Sequence, residues 1–267
     1  MKIETPIKLP LLHFPSGVNF SQNQPTMAKE SQDIDLAASN SELETLSPEE
    51  RIVWAHKVFG VQLVMSSSFG LQSAVLLHMA NTAVPGIPVV FVDTGYLFKE
   101  TYRYAEQLEK KLDLNLKIYT SPITPERQEA LSGKLWEKGK EGLEEYGLVR
   151  KVEPMSRALQ ELGATGWLTG LRREQSESRK NRPFIELQNK TYKLHPIVDW
   201  DSIKVLTYML KYDLPSHPLS REGYLALGDT HSTRKLEKGM SPEDTRHGGF
   251  KWECGLHDGG HGSDFAI

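Results

Sequence analysis

Cysteine is nearly absent: Cys254 is the one thiol in 267 residues. That scarcity excludes an intrachain disulfide, an intrachain Cys-x-x-Cys pair and a four-cysteine iron–sulfur cluster within one chain. It also fits a reducing compartment. Long apolar runs are missing too, since no stretch approaches the roughly 20 residues of a membrane helix. Neither sign of charge dominates. The formal net charge of -3 provides no global polycation for bulk nucleic-acid binding. No internal repeat occurs, and no Gly-x-x-x-x-Gly-Lys-Ser/Thr phosphate loop. What remains, 38% hydrophobic and 25% charged, is the composition of a globular chain of one large or two small domains.

The charge that is present is uneven. Residues 1–50 hold three lysines, no arginine and eight acidic residues. This segment is rich in Ser, Asn, Gln and Pro, and residues 1–45 read as a disordered extension. It lacks the apolar core of a secretory signal and the Arg-rich, acid-poor character of a transit peptide. Order begins at Ser47-Pro48-Glu49-Glu50, a capping box with Pro at the first helical position. Ile52, Ala55 and Phe59 then share one face, and Gly60 is the stop. Strand-like runs follow at Val61–Met65, Pro88–Val92, Leu116–Thr120 and Gly166–Thr169. Helical patterns alternate with them at Gln72–Asn81, Lys99–Leu112, Ser156–Leu162 and Ser202–Tyr212. This alternation predicts an α/β domain over 46–230, a parallel sheet with helices on both faces. From about Pro215 the apolar rhythm fades, and 231–267 read as a flexible tail.

Cys254 sits in that tail, thirteen residues from its end, within Trp252-Glu253-Cys254-Gly255-Leu256-His257. No apolar run is present to bury it. A thiol in a polar segment with His and Arg nearby has the setting of a nucleophile. Cys254-x-x-His257-x-x-x-His261, with His247 upstream, also has the look of a small zinc site, though with a single sulfur. The nucleophile ranks above it.

Val61–Met65 runs into Ser66-Ser67-Ser68-Phe69-Gly70-Leu71-Gln72-Ser73 and then into a helix. A strand, a small-residue loop and a helix N-terminus make an anion site. An ordinary turn with a serine cap is an equal reading of composition alone. The loop resembles the Ser-Gly-Gly-x-Asp-Ser pyrophosphate loop of ATP pyrophosphatases. Ser68, Gly70 and Ser73 match, whereas Phe69 stands for the first Gly and Gln72 for the Asp. Loss of that carboxylate argues against Mg-dependent ATP cleavage. The second strand ends at Asp93-Thr94-Gly95. Asp93 there is placed either to accept from a ribose hydroxyl or an adenine amine, or to cap a turn.

Two basic clusters complete the pattern. Residues 172–182 carry Arg172, Arg173, Arg179, Lys180 and Arg182, and a second group holds His231, Arg234 and Lys235, with Arg246 beyond. Arginine matches multi-oxygen anions through bidentate hydrogen bonds. With Lys134–Glu137, Lys151–Met155, Leu171–Ser176, Gly228–His231 and Glu253–His257, these segments resemble, in order, the thioredoxin-dependent phosphoadenylyl-sulfate (PAPS) reductase family. The match spans about residues 61–258.

The resemblance implies an ATP-pyrophosphatase-type nucleotide-binding fold, a cytoplasmic homodimer and no iron–sulfur cluster. The cluster-bearing adenylyl-sulfate reductases need four cysteines beyond the catalytic one. It implies reduction of PAPS to sulfite and adenosine 3′,5′-bisphosphate in sulfate assimilation, with Cys254 as nucleophile and His257 assisting. The electron donor is reduced thioredoxin or glutaredoxin, because a lone thiol needs an external partner to release sulfite. The implied substrate contacts are Ser66, Ser67, Ser68, Gly70, Gln72, Asp93, Thr94, Gly95, Lys134, Arg157, Gly170, Arg172, Arg173, Tyr224, Arg234 and Arg246. A cluster-free adenylyl-sulfate reductase and a non-catalytic or metal-binding nucleotide module are the alternatives.

Overall fold

The computed structural model describes residues 33–241 and 243–245. Its first helix, α1 (Leu36–Thr45), falls where the disordered extension was expected. Asp35 caps it by accepting from the Ala37 and Ala38 amides. Only Ser39 and Leu43 are buried, which is why its sequence carries so little apolar periodicity. The capping box at Ser47 forms as predicted and opens α2 (Pro48–Phe59). The Glu50 amide donates to Ser47 Oγ at 3.3 Å, and the Ser47 amide to Glu50 Oε2 at 2.8 Å. Ile52, Ala55 and Phe59 form the buried face, joined by Arg51, whose guanidinium pairs with Asp199 at 2.7 Å.

Gly60 ends α2 with φ at +57°, and a short 3₁₀ turn follows. That turn delays β1 to Leu63–Ser66 and leaves Val61 93% exposed, so the expected start at Val61 was two residues early. The remaining elements are α3 (Ala74–Ala83), β2 (Pro88–Asp93), α4 (Lys99–Leu112), β3 (Asn115–Thr120), α5 (Pro125–Ser132) and α6 (Gly139–Gly147). After a π turn (Leu148–Val152) come α7 (Glu153–Glu161), β4 (Gly166–Leu168), β5 (Ile185–Gln188), β6 (Thr191–Leu194) and α8 (Ser202–Lys211). Among the described residues no helix is long and apolar enough to cross a membrane.

The six strands lie in the order β3-β2-β1-β4-β6-β5. All neighbours are parallel except β5 and β6, which form an antiparallel hairpin at one edge. The sheet is therefore not wholly parallel. Its hairpin turn uses Asn189 and Lys190, both at positive φ, the backbone shape of a two-residue turn that matches strand twist. Successive residues of β1 serve opposite faces. Leu63 and Met65 pack with Ile52, Val75, Tyr104 and Val205, while Val64 packs with Val90, Trp167, Met155 and Ala158. Helices thus cover both faces, and each such fully buried side chain contributes about 1.5–3 kcal/mol. The chain goes from β1 to β2 on one side and returns with β4 on the other. The topological switch point lies between β1 and β4, where open α/β sheets bind ligands beyond the strands' carboxyl ends.

Candidate functional site

The Ser66–Ser73 loop leaves β1 directly at that switch point. Trp167 Nε1 of β4 donates to Ser66 Oγ at 2.7 Å, and the Ser67 amide donates to the Val90 carbonyl at 3.0 Å. Phe69 holds φ at +49°, a left-handed conformation that a bulky residue rarely adopts. Here the related pyrophosphate loops carry glycine. Complete burial against Phe91, edge-on at 4.9 Å, offsets the backbone cost, so the loop keeps its shape without the glycine. Its amide donates to Ser67 Oγ at 3.1 Å. Gly70 accepts from Ser73 Oγ at 2.9 Å, and a Cβ there would find only ordinary contact with Ser68 Oγ. Ser68 is exposed. The helix begins at Ala74 rather than Gln72, which leaves Gln72 in the loop.

The loop after β4 faces it. Gly170 is exposed, and Arg172 is buried at 4% exposure. The Arg172 guanidinium donates to Gln72 Oε1 across the crevice and to the Trp200 carbonyl at 3.3 Å, with Glu174 3.6 Å away. Burial lowers its pKa below the usual arginine value, partly countered by Glu174. The Gln-for-Asp exchange thereby acquires a structural reason: the neutral amide oxygen accepts from a buried guanidinium. Arg173 Nε donates to the Arg182 carbonyl at 2.8 Å, and its guanidinium lies 5.0 Å from the Phe184 ring centre. Much of the remaining basic run is internally paired. Lys180 meets Glu177 at 3.1 Å and Arg182 meets Glu186.

The loop after β2 is more occupied than the sequence suggested. Asp93 Oδ1 accepts from the Gly95 amide at 2.8 Å and from Tyr102 Oη at 2.7 Å, so the turn-capping reading describes its contacts. Gly95 sits at φ +79°, and a Cβ there would come within 2.5 Å of Pro125 Cγ. Thr94 is buried and turned inward, its hydroxyl bonded to Asp229 Oδ1. Neither hydroxyl nor carboxylate of this pair is open to solvent.

Asp229 belongs to a buried group that residue-type reasoning missed. Lys151, in the π turn, places Nζ 2.7 Å from Asp229 Oδ2. Burial alone would raise the Asp229 carboxyl, but Lys151 and the Thr94 hydrogen bond outweigh it and hold the group down at about 2. His231 stacks flat on Trp136, centroids 3.8 Å apart and planes 6° apart, between the rings of Tyr96 and Tyr146. Burial lowers its pKa to about 4, so the ring is neutral near pH 7. The segments Lys134–Glu137, Lys151–Met155 and Gly228–His231 lie far apart in sequence and meet here.

The other expected contacts scatter along the same rim or lie beyond what is described. Arg157 donates to the carbonyl of Thr120 at the end of β3 (2.6 Å), pairs with Glu153 and lies over the Tyr119 ring. Lys134 is exposed, 3.8 Å from Glu137. Tyr224 packs edge-on against Phe98, with Lys235 above its ring. Arg234 is exposed, its amide bonded to the Thr245 carbonyl at 2.9 Å. Part of the expected tail, 231–241 and 243–245, is thus described, and Ser232, Thr233 and Thr245 are buried in it. Arg246, Cys254 and His257, and with them the Cys/His zinc spacing, lie outside the described residues.

A mostly parallel sheet flanked by helices, with a serine loop and a buried arginine at its switch point, is a nucleotide-binding fold of the ATP-pyrophosphatase type. FMN adenylyltransferase of Candida glabrata shares this fold, with a TM-score of 0.55 at 16% identity over 81% of this chain and 72% of that one. The chain belongs to the phosphoadenosine phosphosulfate reductase domain family, whose pattern matches residues 62–235. Phosphoadenosine 5′-phosphosulfate reductase of Zymomonas mobilis is 50% identical over 234 residues, 88% of this chain and 96% of its own. The Salmonella typhi protein of the same name is 53% identical over 226 residues, 85% and 93% of the two chains. Among solved structures, the PAPS reductase of Candida auris in its phosphate complex matches with a TM-score of 0.67 at 30% identity, over 78% of this chain and all of that one.

Proposed function

We propose that this protein reduces PAPS to sulfite and adenosine 3′,5′-bisphosphate, with reduced thioredoxin as electron donor. The observation that carries the reading is the meeting of the Ser66–Gln72 loop with Arg172 at the switch point, in a chain whose relatives bear that name. Serine hydroxyls and loop amides supply donors for phosphate oxygens, and the arginine-bearing loops supply positive charge.

The Cys254 thiolate attacks the sulfuryl sulfur. An S–S bond forms, the S–O bond to the nucleotide phosphate breaks, and adenosine 3′,5′-bisphosphate leaves with that electron pair. A thioredoxin thiolate then attacks the Cys254 sulfur and expels sulfite, and the second thioredoxin thiol resolves the mixed disulfide. The two electrons come from the dithiol, which ends as a disulfide. His257 assists electrostatically or as an acid. The enzyme acts in the cytoplasm as a homodimer, with glutaredoxin as the alternative donor and without nucleic acid or membrane.

The test is sulfite release from PAPS and from adenylyl sulfate side by side, with and without reduced thioredoxin. Multiple turnovers on PAPS that require the donor support the reading. Equal turnover of the two nucleotides removes the assigned specificity, and sulfite from many turnovers without an external thiol removes the mechanism.

A further inference from the structure

Among the described residues, the segment that leads toward Cys254 is tied to the rim of the site at Asp229. Asp229 is fully buried, in a stretch that is otherwise mostly turns. It forms an isolated antiparallel bridge with Leu97, and the Thr230 amide donates to the Tyr96 carbonyl at 2.8 Å. Its two carboxylate oxygens go to different elements. Oδ1 accepts from Thr94, two residues before Tyr96 in the loop after β2, and Oδ2 meets Lys151 in the π turn. Two residues on, the His231 ring is pinned between Trp136, Tyr96 and Tyr146.

This fastening is not what stability alone would select. Both His231 ring nitrogens, Arg150 Nη2, Gln128 Nε2 and Asp229 Oδ2 are buried here without an aligned hydrogen bond among the described residues, Oδ2 having the Lys151 ion pair alone. A buried ion pair is also a weak source of stability, because desolvation offsets most of its attraction. An apolar plug would hold this corner as well, so its polar groups mark positional work. The loop fastened by Thr94 leaves β2 at the same carboxyl edge as the Ser66–Gln72 loop.

We propose that Asp229 is a positioning residue: its carboxylate ties the described part of the C-terminal segment to Thr94 and Lys151 at the carboxyl edge of the sheet, and the delivery of Cys254 to the nucleotide depends on that tie. The inference rests on the reading of Cys254 as nucleophile. It assigns Asp229 no contact with substrate. Its part is in the step that brings the thiol to the sulfuryl group, not in holding the nucleotide.

The experiment compares full-length wild type, Asp229→Asn, Thr94→Val and the double variant. Three quantities are read: kcat and KM for PAPS, the Kd of adenosine 3′,5′-bisphosphate, and the rate of Cys254 alkylation by iodoacetamide with and without that nucleotide. For Asp229→Asn, kcat should fall about tenfold or more with KM and Kd within about twofold, the signature of an interaction outside ground-state binding. Alkylation of Cys254 should lose its response to nucleotide. Thr94→Val, nearly isosteric, should fold even if Asp229→Asn does not, and should show the same pattern more weakly. The double variant should lose no more than Asp229→Asn, because the two act as one unit.

Two results overturn the proposal. One is equal loss of nucleotide affinity and kcat with the alkylation response intact, which makes Asp229 part of the scaffold only. The other is additive losses in the double variant with Thr94→Val weakening Kd by itself, which makes Thr94 a ligand contact. If wild type releases no sulfite from PAPS, the functional reading fails separately. The alkylation response and its loss in Asp229→Asn still decide the tie.

Discussion

Replacing Arg172 by alanine tests the core of the site. Its guanidinium is one of the most buried charges at the switch point, and it bonds both to Gln72 in the serine loop and to the Trp200 carbonyl. A hydrogen bond to a charged group is worth roughly 1.5–3 kcal/mol, and a buried acceptor left unpaired costs about 1–3 kcal/mol. If one such interaction with the nucleotide is lost, its Kd should rise roughly 10- to 150-fold, since about 1.4 kcal/mol is a factor of ten. Titration calorimetry with adenosine 3′,5′-bisphosphate measures the affinity, and urea denaturation of the same samples measures the fold. Gln72→Ala supplies the control. If Arg172 acts only by holding the serine loop, Gln72→Ala and Arg172→Ala should weaken binding alike. If it also meets the nucleotide, Arg172→Ala should cost more by the amount of that contact. Arg172→Lys should not restore binding, because an ammonium cannot reproduce the forked geometry. A Kd within about twofold of wild type for Arg172→Ala, with stability lowered, would refute the placement of the nucleotide at this switch point.

Cys254→Ser should abolish sulfite formation while leaving nucleotide affinity in place, and wild type incubated with PAPS without donor should gain one sulfonate on a peptide containing Cys254; turnover near wild type in the Ser variant sinks the nucleophile. Purified protein should be colourless, iron-free and active in chelator, as metal analysis with a parallel assay would show; a stoichiometric metal required for activity would revive the Cys/His metal reading. Stability should fall on acidification from about pH 6.5 to 4, because His195, His217 and His231 are held near 4 by burial. The unfolded chain binds those protons first, so the loss grows as pH falls through that window. Urea midpoints measured at stepped pH check it, and His231→Phe should flatten the slope; an unchanged slope contradicts the neutral, buried ring.

The elements that sequence read well are those whose signals are local. The capping box at Ser47 and Glu50, and the extent of α4 (Lys99–Leu112), both come from interactions within a few residues. The strands that were missed, Ile185–Gln188 and Thr191–Leu194, are short, and their turn is Asn189-Lys190 rather than a glycine pair. Burial along β5 is mixed, and β6 is buried throughout although two of its four residues are polar or charged. The β6 residue Lys193 is wholly buried, with Nζ 4.5 Å from the Trp167 ring centre and 2.8 Å from Gln188. A lysine inside a sheet breaks the apolar run that a sequence reading needs, and only the partners supplied by tertiary structure make the position tenable.

The site divides along the same line. Small residues after a strand suit a serine-capped turn as well as an anion loop, so it was the family resemblance that singled out Ser66–Gly70. The direction of a side chain was not legible. Thr94 and Arg157, expected at the substrate, also have partners within the protein that no spacing announced, Thr94 with Asp229 and Arg157 with Glu153 and the Thr120 carbonyl. Lys151 and Asp229 were visible only as parts of segments that carry the family resemblance, and His231 as a member of a basic cluster, because a charge in a turn-rich stretch usually indicates a solvated surface. What sets Asp229 apart is its opposing lysine 78 positions earlier, brought within 2.7 Å by the π turn. Such pairing depends on the sheet order, since residues after β2, before α7 and beyond α8 must reach one corner of the carboxyl edge. No window of sequence contains that condition, and the buried charges that satisfy it are the residues whose exchange should separate binding from turnover.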